Sequence, residues 1–196
     1  MFLWIKSLRI WVLGASVGLL FSCTQKQSAV QRSFYNFDSL VTAQAGKLKG
    51  FELTKSVLID TAGEQAQLIP DSTQWTNELE LFRQLAEVNK ASFRDAYVVN
   101  DLRDTNSNLT VREIKAQRDV PVSLVRLYYL HTPDDLRKVE ATFVEENALY
   151  INTRKMMMEL VRFNDTNLIH RYRVESVQKF MISDSVRFVI AGEVAM

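Results

Sequence analysis

Apolar positions recur along this chain at two different periods, and the change from one to the other falls near Lys90. Before it, Phe34, Phe37, Leu40, Val41 and Leu48 return at helical spacing, with Ser33 available as a cap and Gly46 and Gly50 near the far end, which predicts a helix over 33–46. A second and stronger stripe, Trp75, Leu79, Phe82, Leu85, Ala86 and Val88, follows the helix-start signal Pro70-Asp71-Ser72 and predicts one helix ending near Asn89. Between the two lie a run from Phe51 to Ile59 and another from Gln65 to Ile69. Asp60-Thr61-Ala62-Gly63 separates them with the turn chemistry of a β-hairpin.

Beyond Lys90 the period is two. Strands are expected over 97–100, 109–117, 122–131, 136–145, 148–152, 155–163, 168–179 and 185–194, split by turn-rich segments such as Thr132-Pro133-Asp134-Asp135. The gaps are too short for parallel crossovers, so neighbours should pair antiparallel. Val139, Ala141 and Phe143 alternate with Glu140, Thr142 and Val144, and Tyr172, Val174 and Ser176 with Arg171, Arg173, Glu175 and Val177. One face of such a sheet is covered and the other wet. The expected fold is α+β: two helices packed on a curved, half-barrel-like antiparallel meander of about eight to ten strands. It forms a single domain over 33–196.

The first 32 residues follow another logic. Lys6 and Arg9 precede a stretch without charge from Ile10 to Gln25, and its apolar part is shorter than the roughly 20 residues a bilayer crossing needs. Residues 1–22 are therefore expected to be a cleaved signal peptide. Cys23, the only cysteine, follows Leu20-Phe21-Ser22, and the tetrapeptide resembles the lipobox of bacterial lipoproteins. That resemblance implies acylation of Cys23 (palmitate-type chains) and a lipidated tether over 23–32. Two or more acyl chains hold a bilayer where one binds only marginally. Thr24 in place of an aspartate favours the outer membrane, and Gln25-Lys26-Gln27-Ser28, lacking acids, favours its periplasmic face.

Charge narrows the partners. Without the signal, 22 basic residues stand against 23 acidic ones, which argues against nucleic acid because phosphate binding needs clustered excess cations. An exported chain with one cysteine makes no internal disulfide, so its core alone must hold it.

Candidate chemistry is sparse. His131 and His170 lack companions at metal-ligand spacing, although His131 with Asp134 and Asp135 could form a cluster; an ordinary turn is the simpler reading. No Gly-x-Ser-x-Gly elbow or glycine-rich phosphate loop occurs, and Glu145-Glu146 would face opposite sides of a strand. No catalytic residue, metal site or cofactor is therefore expected. Met156-Met157-Met158 suits either an irregular core or an adaptable apolar surface. With Trp75 and Phe82, these methionines are the candidate lining of an apolar ligand site, core packing being the plainer role. Arg162, Arg171, Arg173 and Lys179 could form a basic band on the wet face, or be ion-paired there.

Trp75, Glu78-Leu79, Phe82 and Asn89-Lys90, followed by Tyr172, Val174, Ser176 and Gln178-Lys179, resemble a group of uncharacterised outer-membrane lipoproteins of Bacteroidota. In architecture alone, a helix-covered bent sheet is similar to the half-barrel of bacterial lipoprotein carriers, which hold acyl chains in the concavity. The resulting expectation is a non-enzymatic, lipid-anchored envelope module that binds an apolar ligand or a protein partner. The alternatives are a structural accessory subunit of an outer-membrane complex, or a hydrolase with its site near His131 or His170.

Overall fold

A computed structural model describes residues 33–196, and the predicted signal peptide, Cys23 and the tether lie outside the described residues. The first element, α1 (Phe37–Lys47), is capped by Asn36, whose side chain accepts from the Ser39 amide at 2.9 Å. Ser33 is therefore not the cap. Asp38 in the first turn and Lys47 in the last both complement the helix dipole. The buried side of α1 is Phe37, Val41, Gln44 and Ala45.

Strands β1 (Leu53–Ile59) and β2 (Ala62–Leu68) form the expected hairpin. The long helix expected next is instead broken into pieces. α2 (Ser72–Glu78) opens on a capping box between Asp71 and Gln74, and Leu79 interrupts it at φ −92° and ψ 4°. A single turn, α3 (Glu80–Arg83), leads into 3₁₀ segments at Gln84–Asn89 and Ala91–Ala96. Spacing explains the break: from Leu79 the apolar positions 79, 82, 85 and 88 fall every third residue, the period of a 3₁₀ helix, which keeps all four on one line. Each is at most 1% exposed.

The remaining strands are β3 (Tyr97–Arg103), β4 (Thr110–Ala116), β5 (Val122–Tyr129), β6 (Leu136–Glu146), β7 (Tyr150–Phe163), β8 (Thr166–Phe180) and β9 (Val186–Val194). They make one open, curved antiparallel sheet of nine strands in the order β2-β1-β9-β8-β7-β6-β5-β4-β3. From β3 to β9 the path is a meander. The early hairpin joins at the far side, β1 pairing with β9 from Leu53 opposite Val194 to Ile59 opposite Phe188.

Two strands expected over 148–152 and 155–163 are one strand, β7. The strand runs unbroken through Thr153 and Arg154, and Arg154 finds partners on the sheet and on the 3₁₀ segment beside it, although its Nε has none among the described residues. Its guanidinium lies 4.6 Å from the centre of the Phe143 ring and donates to Glu145 Oε2 at 2.9 Å and Gln84 Oε1 at 2.7 Å.

Val125, Leu127, Val139, Ala141, Met156, Met158, Tyr172 and Val174 meet Phe37, Val41, Trp75, Leu79, Phe82 and Leu85 in one apolar cluster. The other sheet face is charged and ion-paired. Arg126 meets Glu113, Lys138 meets Glu140, Arg171 meets Glu159, and Glu175 sits between Arg173 and Arg187. Burial opposes the charge on Glu140, but hydrogen bonds from Lys138 and Tyr128 hold its carboxyl below the usual range.

Candidate functional site

A cleft of about 770 Å³ opens between α1, the β5–β6 turn and the β7–β8 turn. The helix contributes Ser39, Leu40, Ala43, Gln44 and Lys47, which recur at helical spacing and so share the side facing the turns. The turns contribute Asp134, Asp135, Arg162, Asp165 and Asn167.

The floor of the cleft is built around an irregularity in the sheet. Glu159 pairs with Arg171 but Leu160 pairs with Ile169, so His170 is an extra residue on β8 and the ladder slips by one. The β8–β9 ladder ends at Arg171 opposite Glu193, so the stretch of β8 nearer its turn has no strand beside it on that edge, and Gln44 bonds to it there. Its Nε2 donates to the Asn167 carbonyl at 2.9 Å, and its Oε1 accepts from the Ile169 amide at 3.0 Å. This explains why a glutamine 3% exposed is tolerated beneath a helix. Asn167 in turn donates from Nδ2 to Asp135 Oδ1 at 2.8 Å, while its own Oδ1 is buried without a partner among the described residues.

Electrostatically the cleft is mixed. The Asn167 amide, with Arg137 and Arg162 nearby, holds the Asp135 carboxyl below the usual range. Arg162 is paired with Asp165 at 3.1 Å and Arg137 with Asp135 at 3.0 Å. Asp134 has no ion-pair partner among the described residues, and its charge adds to burial in pushing the Tyr35 phenol up to about 12. The site therefore offers the Asp134 carboxylate and the Lys47 ammonium, and among the described residues no nucleophile there is hydrogen-bonded to a base.

The residues singled out from the sequence are scattered. Trp75, Phe82, Met156 and Met158 are each at most 3% exposed and belong to the core, where Trp75 Nε1 is buried without a partner among the described residues. Met157 points to the opposite face, where it and Arg173 both line two depressions of about 380 and 310 Å³. His131 sits in the β5–β6 turn at φ 66°, and His170 at the bulge, its Nε2 3.9 Å from Glu193 Oε1. Neither lines the cleft. Among the described residues no three His, Cys, Asp or Glu side chains are placed to hold a metal ion, and no helix is long and apolar enough to cross a membrane.

Sequence reasoning passed over Gln44 and Asn167. A glutamine interrupting the apolar face of α1 was the one available signal.

A second polar cluster lies at the margin of the core, with Tyr172 buried and Lys55 and Glu78 partly exposed. Tyr172 donates to Glu78 Oε1 at 2.5 Å, and Lys55 donates to Glu78 Oε2 at 2.7 Å. Burial, reinforced by Glu78, pushes the Tyr172 phenol far above its ordinary value. No protein family, curated protein or solved structure matches the chain.

Proposed function

We propose that this chain is a lipid-anchored module of the bacterial cell envelope, held through Cys23 to the periplasmic face of the outer membrane, that binds a protein partner without catalysis. The observation that carries the choice of partner over apolar ligand is the filled apolar face. Trp75, Phe82 and Met158, the residues an acyl chain would need to touch, are enclosed by one another. In the finer reading, the helices pack into a half-barrel and occupy the concavity that a lipid carrier would leave open. The cleft beside α1 is the better docking feature, because Asp134 and Lys47 line it and can meet donors and acceptors of an incoming polar segment.

The test uses a photo-crosslinking residue at Ser39 in the cleft, compared with Ser107 in the β3–β4 turn, in cells that make the chain. One membrane-associated protein should be captured repeatedly from position 39 and not from 107, and the doubly charge-reversed Lys47→Glu/Asp134→Lys chain should lose it. A reproducible lipid mass on protein purified without detergent would sink this reading and restore the apolar-ligand one. Replacing His131 and His170 by Gln should leave the capture unchanged.

A further inference from the structure

The most exposed large apolar side chains of the described residues include three on two adjoining turns. Leu149 in the β6–β7 turn is 71% exposed, and Met181 and Ile182 in the β8–β9 turn are 70% and 98% exposed. The two turns are joined, since the Met181 amide donates to the Leu149 carbonyl at 3.0 Å. Leu149 is held outward by its own turn: Asn147 Oδ1 accepts from the amides of Leu149 and Tyr150 at 2.8 and 3.1 Å. Directly behind, Tyr150 and Phe180 meet edge to face with centroids 6.2 Å apart, and the Tyr150 hydroxyl donates to Glu145 at 2.9 Å. Three aliphatic side chains ahead of an aromatic pair with one anchored hydroxyl is the layering of a segment that enters a bilayer interface, where amphipathic rings settle at headgroup level.

We infer that this double-hairpin tip rests in the lipid surface to which the chain is tethered. The inference rests on the lipid-anchor reading for what brings the domain to the bilayer. The tether from Cys23 to Ser33 is ten residues, a reach of at most about 35 Å, so the domain cannot leave the membrane's vicinity. Charge sets the kind of surface. Glu146, Lys179 and Asp184 flank the tip, and this balance gives no attraction to anionic headgroups. Contact is therefore apolar and occurs equally on zwitterionic lipid.

The experiment exploits a tryptophan count. A chain from Cys23 to Met196, which contains the whole core, has Trp75 as its only tryptophan, and that side chain is fully buried. The chain is coupled through the Cys23 thiol to a maleimide lipid in phosphatidylcholine vesicles containing brominated acyl chains, which quench tryptophan on contact. Ile182→Trp should shift its emission to the blue and lose most of it to bromine. Asn106→Trp, in the β3–β4 turn, and the parent should lose none. Because the coupling imposes the anchor, an unquenched Ile182→Trp on vesicle-bound protein overturns the tip assignment alone and gives the patch to a protein partner. The mass of Cys23 in the native host decides the anchor reading separately.

Discussion

A methyl group added at Gly192 tests the packing of the polar cluster at the margin of the core. Gly192 faces Tyr172 across the β8–β9 ladder, and the phenol lies over the glycine, an arrangement in which a ring substitutes for the missing side chain. A β-carbon built there would stand 2.3 Å from Tyr172 Cε1 and Cζ and 2.4 Å from its hydroxyl, far inside the 3.5–4.0 Å at which carbons rest. The ring has no room to retreat. It is 2% exposed, meets Phe82 edge to face at 6.2 Å and is tied to Glu78. Overpacking costs about 1–3 kcal/mol, and a lost hydrogen bond to a charged group about 1.5–3 kcal/mol. Against this, a strand alanine in place of glycine returns about 0.4–1 kcal/mol through the unfolded chain. Gly192→Ala should therefore destabilise by roughly 1.5–5.5 kcal/mol. Urea unfolding of the parent, Gly192→Ala, Tyr172→Leu and the double variant reads this directly. In the Tyr172→Leu background the same alanine should be close to neutral, giving a coupling energy of about 2 kcal/mol or more. If Gly192→Ala were as stable as the parent, or cost the same with and without the ring, the stacking account would be wrong.

Gln44→Leu should cost about 3 kcal/mol in the same unfolding assay, because it strands the Asn167 carbonyl and the Ile169 amide under α1. A cost under about 0.5 kcal/mol, the range of an ordinary surface change, would mean that this uncovered edge of β8 does not need it. Met158→Ala should lose about 2–5 kcal/mol as a core truncation while Met157→Ala stays within about 0.5 kcal/mol, and equal losses would contradict the assignment of the two side chains to opposite faces. The raised Tyr172 phenol makes stability full below pH 10.0, the ordinary tyrosine value, and progressively lost as pH climbs above it. Tyr172→Phe should flatten that alkaline decline in thermal melts from pH 8 to 11, and an unchanged slope would refute it. At the other end, the lowered Asp135 carboxyl contributes stability present above the ordinary value of 3.8 and lost as pH falls through its folded value, so Asp135→Asn should shorten the acid limb.

The antiparallel sheet and its covered face were legible because alternation along β6 and β8 is strong and the turns between strands are short. Breaks inside elements were not. Arg154 reads as an interruption until Phe143, Glu145 and Gln84 are brought around it from other elements. The three-residue spacing after Leu79 was visible, but Trp75 to Leu79 matches an α-helix, and the step at Leu79 depends on what the stripe packs against. The candidate site was the least legible part. Its floor exists because β8 runs past the end of β9, whose ladder stops at Arg171 opposite Glu193, and the point where one strand outruns its neighbour has no signature in either strand alone. The methionine run was conspicuous, yet strand alternation splits it between two environments, so its members share a name and not a place.

The position of β9 has a bearing on how the chain reaches its final form. Among the described strands, the one furthest along the chain lies inside the sheet, between β8 and the β1–β2 hairpin. Until Val186–Val194 is available, β1 and β2 have no neighbour but each other, and an isolated hairpin of two strands is marginal in water. Residues from opposite ends of the domain must therefore meet before either end is stable, which is the slow, non-local type of assembly. A nascent chain would stay open until Val186–Val194 emerge, and removal of those nine residues would release the β1–β2 hairpin from the sheet as well.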